Sequence, residues 1–216
     1  MKVHLVIAHP EQGSFNFALH KIAMEVLKKE SIKFEVSDLY EQNFNPVAGK
    51  SDTNNFPAED LFQLAKAQRL AISSNSFVNS ISQEQEKLAS SDLLIFQFPL
   101  WWWSFPSILK GWIDRVLSSG FAYGNNAILG PKKVMYSITT GGANSEEELE
   151  YYKNKIDGLY QDIFGFMGWE ILPAFIAHGV QQKTDGERQL ILANYQEHLL
   201  GKVLADSLDN TDNLSV

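Results

Sequence analysis

Short apolar runs alternate along this chain with longer stretches in which apolar residues recur every three or four positions. The first run, Val3 to Ala8, predicts a strand, and Ser14 then opens a helix whose Ala18, Ile22, Val26 and Leu27 recur at helical spacing through to Lys29. A second strand is expected over Phe34 to Leu39. Leu93 to Phe98 is apolar apart from Gln97, as expected for a strand buried on both faces. A helix follows from about Pro106, with Ile108, Trp112 and Val116 each one turn apart. Lys133 to Ile138 predicts a fourth strand, Ser145 to Phe164 a helix, Trp169 to Ile176 a fifth strand, and Glu187 to Leu204 a closing helix. Residues 41–84 show little periodicity and are rich in Asn, Ser, Asp and Gln, with a helix or two expected inside them, Ala58 to Leu70 being one. Five strands alternating with helices predict the α/β class: a doubly wound, five-stranded parallel sheet with helices on both faces.

Length adds that 216 residues suit one domain, taken as 1–205 with a polar tail over 206–216. The formal net charge of -8 repels phosphate backbones and anionic lipid, so no nucleic acid and no membrane insertion are expected, and a phosphorylated ligand has to be held by backbone amides. With no cysteine, disulfides, thiolate catalysis and cysteine-bound metal are excluded. The N-terminal apolar run ends in His9-Pro10, too short for a secretion signal, and no stretch approaches the about twenty residues of a membrane span, so a soluble, cytoplasmic protein is expected.

Candidate chemistry collects after three strands. In a sheet of order 2-1-3-4-5, strands 1, 3 and 4 are neighbours and ligands bind beyond their C-terminal ends. After strand 1, His9 to Asn16 form a Gly/Ser turn opening a helix, which brings free N–H groups and the positive helix end to one place; the same turn also serves as an ordinary cap through Ser14. After strand 3 stand Pro99-Leu100-Trp101-Trp102-Trp103. Adjacent side chains point in different directions, so three Trp cannot all enter one core; at least one faces a flat ligand, a dimer interface, or both. After strand 4, Thr139-Thr140-Gly141-Gly142 offer hydroxyls and a close backbone approach, or simply a turn. Ser145 and Glu148 read as a capping box. Phosphate amides, a stacking wall and a close-approach Gly-Gly on one sheet edge together describe a flavin site.

The stretches Ala8-His9 with Ser14-Phe15-Asn16, Ser37 to Tyr40 with Asn43 to Pro46, Phe96 to Leu100, Leu109 to Trp112, Phe121 to Tyr123 and Ser137 to Gly142 resemble the flavodoxin-like NAD(P)H:quinone oxidoreductases. That group includes DT-diaphorase and the bacterial ancillary proteins of potassium-efflux systems. The resemblance implies a non-covalent flavin, FAD with FMN as the alternative, in a homodimer with two sites at the subunit interface. It implies ping-pong hydride transfer from NADPH or NADH, through flavin N5, to a quinone-like acceptor. The rival functions are a regulatory flavoprotein docking on a cation-efflux system and a one-electron flavodoxin-type carrier. By the same resemblance His9, Ser14, Phe15 and Asn16 bind the cofactor's phosphate and sugar portion, Pro99 to Trp103 its ring, and Thr139, Thr140, Gly141 and Gly142 its ring edge. Arg188 approaches the adenine end, and Trp102, Tyr123 and Phe166 line the acceptor pocket. Where the mammalian enzymes carry a Tyr and a His, a gapless comparison finds Glu147 and Lys153, so Tyr151 or Tyr152 stands in through a loop shift. The Gln that family members extend to the neighbouring subunit's adenine is missing from Asn54 to Pro57. His178 reads as structural.

Overall fold

The structure, a computed structural model, describes residues 1–57, 60–142 and 145–205, and all of these but the Glu146 side chain in detail. The expected tail over 206–216, and the start of the helix expected at Ala58, lie outside the described residues. The elements run β1 (Lys2–Ile7), α1 (Phe15–Lys29), β2 (Lys33–Asp38), α2 (Leu64–Ser74), α3 (Asn79–Ala89), β3 (Leu93–Pro99), α4 (Ser107–Val116), β4 (Lys133–Thr139), α5 (Glu146–Ile163), β5 (Glu170–Ile171), β6 (Phe175–Ala177) and α6 (Asp185–His198). The sheet is parallel in the order β2-β1-β3-β4-β5, with β6 also on β4, so the doubly wound order holds.

The expected fifth strand is split. Ile171 to Phe175 spans four steps opposite the three from Val134 to Ser137, which is one extra residue. Pro173 sits in the interruption, and a proline there cannot donate to the ladder. The closing helix is likewise shorter than expected, with a wider turn over Leu199–Val203 completing it.

Alternation along the central strands feeds two cores. Val3, Leu5, Leu93, Ile95 and Met135 pack against α1 and α6, while Val6, Leu94, Phe96, Phe98, Val134 and Tyr136 pack under α4 and α5. The helix α3 begins at the end of the segment with little periodicity and runs past it. Its buried face, Ile81, Glu84, Gln85 and Leu88, mixes polar with apolar residues. Glu84 accepts from Trp112 Nε1 at 2.8 Å, from Ser37 Oγ at 2.8 Å and from Lys87 Nζ at 2.7 Å, so the carboxylate is compensated inside the core. Among the described residues no helix is long and apolar enough to cross a membrane.

Two buried histidines make stability depend on pH. Burial lowers both His4 and His20 from 6.5 to about 4. Their folded-state values lie below the unfolded one, so the stability they confer is complete above about pH 6.5 and is lost as pH falls toward 4. Each accounts for about 3 kcal/mol at most. Urea unfolding at pH 7 and pH 4.5 is expected to show this drop, with His20→Gln losing roughly half of it. Equal stability at the two pH values would contradict the assignment.

Candidate active site

The C-terminal ends of β1, β3 and β4 open into one cleft of about 680 Å³. His9, Gly13, Ser14, Phe15 and Asn16 line it from the first loop, Pro99, Leu100 and Trp101 from the second, and Thr139, Thr140 and Gly141 from the third. Val180, Gln181 and Arg188, from the segment after β6, complete its lining. A smaller hollow of about 130 Å³ adjoins it through Leu100, Thr140 and Gly141, and adds Trp102, Trp103, Gly142 and Tyr152. The structure thus gathers every expected cofactor residue along one continuous depression.

The first loop presents backbone amides at the start of a helix. Ser14 caps α1 through Phe17 N–H, and the N–H groups of Phe15 and Asn16, in the first helical turn, have no intrahelical acceptor. His9 Nδ1 accepts from Glu11 N–H at 3.0 Å. Glu11 Oε1 accepts from Gly13 N–H at 2.9 Å, a carboxylate resting on the amide turn. The one guanidinium lining the cleft, Arg188, is held by Asp185 Oδ1 at 2.6 Å and donates to Val180 O at 3.3 Å.

Several polar side chains taken as direct contacts have internal partners instead. Asn16 Nδ2 donates to Thr139 Oγ1 at 2.8 Å and Asn16 Oδ1 accepts from Gln97 Nε2 at 2.9 Å, stitching α1, β3 and β4 beneath the cleft. Thr140 Oγ1 donates to Gly142 O at 2.7 Å and accepts from Gly179 N–H. Thr140 N–H goes to Ala177 O at 3.0 Å. The Thr139 and Thr140 hydroxyls and the Asn16 amide therefore support the cleft wall, and among the described residues the polar donors left at the third loop are the amides of Gly141 and Gly142. A Cβ built on Gly141 meets no atom of the described residues within 4 Å, so that glycine faces open cleft.

Trp101 to Ser104 form a tight turn closed by Ser104 N–H to Trp101 O at 3.1 Å. Its central residues, Trp102 and Trp103, have φ of 50° and 54°, a region bulky residues rarely adopt. Such strain persists where surrounding structure and use enforce it. None of the three Trp is buried, and Trp102 is 90% exposed. Trp101 lies against His9, with ring centroids 6.1 Å apart.

Tyr151 and Tyr152 separate by helical phase. Tyr152 lines the small hollow, its hydroxyl 3.6 Å from a Cβ built on Gly142, whereas Tyr151 points outward beneath Lys155 Nζ. Tyr123 and Phe166 pack together at 6.1 Å, but in a different hollow of about 200 Å³ with Leu64, Ile113 and Met167. They do not line the cleft of their own chain. Sequence reasoning left out Gln97, Gly179, Val180 and Gln181. Of these only Gln97, a lone amide in an apolar strand, carried a visible signal.

A doubly wound sheet with an amide turn, an aromatic wall and a Gly-Gly step at its switch point defines a flavodoxin-like protein. Residues 1–199 match the family model described as flavodoxin-like fold. The chain is 36% identical over 212 residues to the mouse ribosyldihydronicotinamide dehydrogenase [quinone], covering 92% of this chain and 90% of that one. It is 36% identical over 205 residues to the rat NAD(P)H dehydrogenase [quinone] 1, covering 90% and 75%. Among solved structures, the NAD(P)H:quinone oxidoreductase from Methanothermobacter marburgensis superposes with a TM-score of 0.72 at 26% identity, covering 92% of this chain and 94% of that one. The chain belongs to the flavodoxin-like NAD(P)H:quinone oxidoreductase family.

Proposed function

We propose that this chain is a flavin-dependent NAD(P)H:quinone oxidoreductase working by two-electron, ping-pong transfer. The observation that carries the reading is the single cleft in which an anion-binding turn, an aromatic wall and the open Gly141 edge stand in series. When bound, the flavin supplies the redox chemistry: NAD(P)H is oxidised to NAD(P)⁺ in one half-reaction, and in the other a quinone takes the two electrons and two protons, one drawn from solvent, to become the hydroquinone.

The chain's own residues then bind, orient and exclude. The Phe15 and Asn16 amides and the Ser14 hydroxyl hold phosphate without needing a lysine. Leu100 and Trp101 pack along the ring, and the Gly141 and Gly142 amides donate to its edge, where negative charge develops on reduction. FMN ends at its phosphate, whereas the lining also takes in Gln181 and, from the start of α6, Arg188, which supports FAD. Tyr152, facing the small hollow, is the hydroxyl that holds a proton near the acceptor, in preference to Tyr151. Among the residues lining that hollow none is charged, which suits an uncharged quinone-like ring.

The reading includes a homodimer. Tyr123 and Phe166 are set apart from their own chain's cleft, Phe166 is 73% exposed, and the outer face of Trp102 is bare. A second copy that brings Tyr123 and Phe166 to the partner's Trp102 accounts for all three. We assign the enzyme to the cytoplasm, where a chain without cysteine has no disulfide to lose.

Initial-rate measurements test the function. Double-reciprocal plots against NAD(P)H at several quinone concentrations are expected to be parallel, and intersecting lines would rule out ping-pong transfer. Tyr123→Ala is expected to raise the quinone KM about tenfold, the equivalent of about 1.4 kcal/mol of aromatic contact. Reduction by NAD(P)H should proceed at the unaltered rate; equal slowing of both half-reactions would remove Tyr123 from the acceptor site.

A further inference from the structure

Next to the cleft, the turn between β6 and α6 grips the Thr140–Gly142 loop at three points. Gly179 N–H donates to Gly142 O at 3.0 Å and to Thr140 Oγ1 at 3.3 Å, and Thr140 Oγ1 donates to the same Gly142 O at 2.7 Å. One residue further on, Val180 N–H reaches Thr140 O at 3.4 Å. Gly179 can present its N–H this way because it sits at φ 59° and ψ 27°, the left-handed region in which glycine carries no Cβ penalty. Thr140 is 4% exposed, so its hydroxyl is committed to this contact and not to the cleft.

The consequence follows from peptide geometry. In a trans peptide the C=O and the N–H that share a plane point in opposite directions. Val180 draws the Thr140 carbonyl toward the β6–α6 turn, so the Gly141 N–H in the same plane is turned the other way, toward the cleft that Gly141 lines. The Gly142 carbonyl is pinned by two donors. The peptide that carries Gly142 N–H is thus bracketed by two fixed planes. Glycine is the residue whose backbone drifts most freely, and two in succession would not otherwise hold amides in one direction.

We propose that Thr140 and Gly179 are positioning residues, a latch that aims the Gly141 and Gly142 amides and thereby sets the reduction potential of the flavin. The inference rests on the proposal that the cleft holds a flavin. Fixed donors favour the form of the ring with the greater negative charge, which is the reduced one, and they do so without reorganising. Releasing the latch lets the amides swing, so the reduced flavin loses more binding than the oxidised flavin does. A group that only braced the fold would weaken both equally and leave the potential where it was.

The test uses the full chain loaded with FAD. Its two-electron midpoint potential is read by equilibration with a reference dye, alongside the FAD dissociation constant and the unfolding midpoint. Thr140→Val removes the hydroxyl at nearly constant volume, while Thr140→Ser keeps it. Gly179→Val is disfavoured at positive φ, while Gly179→Asn tolerates it. Thr140→Val and Gly179→Val are expected to lower the preference for reduced over oxidised flavin about tenfold, equivalent to about 30 mV more negative for a two-electron couple. Thr140→Ser and Gly179→Asn should stay within twofold of the parent. If Thr140→Val fails to fold, the Gly179 pair carries the same comparison. A FAD-loaded Thr140→Val or Gly179→Val with the parental potential overturns the latch and leaves the flavin site standing. A parent chain that takes up neither FAD nor FMN overturns both.

Discussion

Gly141→Val is expected to yield a folded, colourless protein. Nothing among the described residues lies within 4 Å of a Cβ at this position, and its backbone is outside the left-handed region, so the fold accepts the side chain. The new carbons then occupy the ring-edge side of the cleft, opposite Leu100 and Trp101, in space the flavin needs. They also bury the amides on which the ring edge depends. A loss of about 4 kcal/mol is expected, which is roughly a thousandfold in dissociation constant, with the thermal midpoint within about 2 °C of the parent. Flavin titration and a melting curve on the same preparation check both halves. A variant that purifies with its flavin would contradict this placement of the ring.

The second large effect falls on stability and reverses a general rule. A glycine inside a helix ordinarily costs about 1 kcal/mol relative to alanine, so Gly→Ala there usually stabilises. Gly111 lies in the middle of α4, and a Cβ on it would overlap the backbone of Pro46. The Pro46 segment has nowhere to move. Arg115 donates to Asn45 O, pairs with Asp52 at 2.9 Å, and lies over the Phe44 ring at 5.2 Å, while Phe44 N–H is bonded to Leu39 O at 2.9 Å. Gly111→Ala is therefore expected to destabilise by about 3 kcal/mol, through overpacking, and to lower the thermal midpoint by about 10 °C. The folded fraction should bind flavin with parental affinity, because Gly111 is not among the residues that line the cleft. An unchanged or raised midpoint would show that the loop yields. Together the two substitutions separate affinity from stability.

The same contacts explain what could be read from the chain. The central strands were legible because each is buried on both faces, and the three loops because their residue types are unusual for turns. The prediction that three adjacent Trp cannot share a core is matched by a turn that buries none of them. The helix α3 escaped notice because Glu84 and Gln85 occupy its inward face and satisfy Trp112, Val116 and Ser118, so its stripe is not apolar. The split of the fifth strand turns on Pro173 and one extra residue, and an apolar run with a proline in it does not disclose the register on either side. At the site, position was legible and bonding was not. Asn16, Thr139 and Thr140 do reach the cleft, but their polar atoms are spent on Gly142 nearby and, across long sequence separations, on Gln97, on each other and on Gly179. Tyr151 and Tyr152 could not be told apart until helical phase turned one inward. Gly179 and Val180 had no local signature, since their role consists of backbone N–H groups.

The most direct test of the central claim is an absorbance spectrum of the purified chain, as isolated and after incubation with FAD, followed by anaerobic addition of NADPH or NADH. The expected result is a yellow protein, one flavin per chain, that bleaches directly to the two-electron form and regains its colour on adding a quinone. A chain that stays colourless with both FAD and FMN, or a bound flavin that neither nicotinamide reduces, would contradict it.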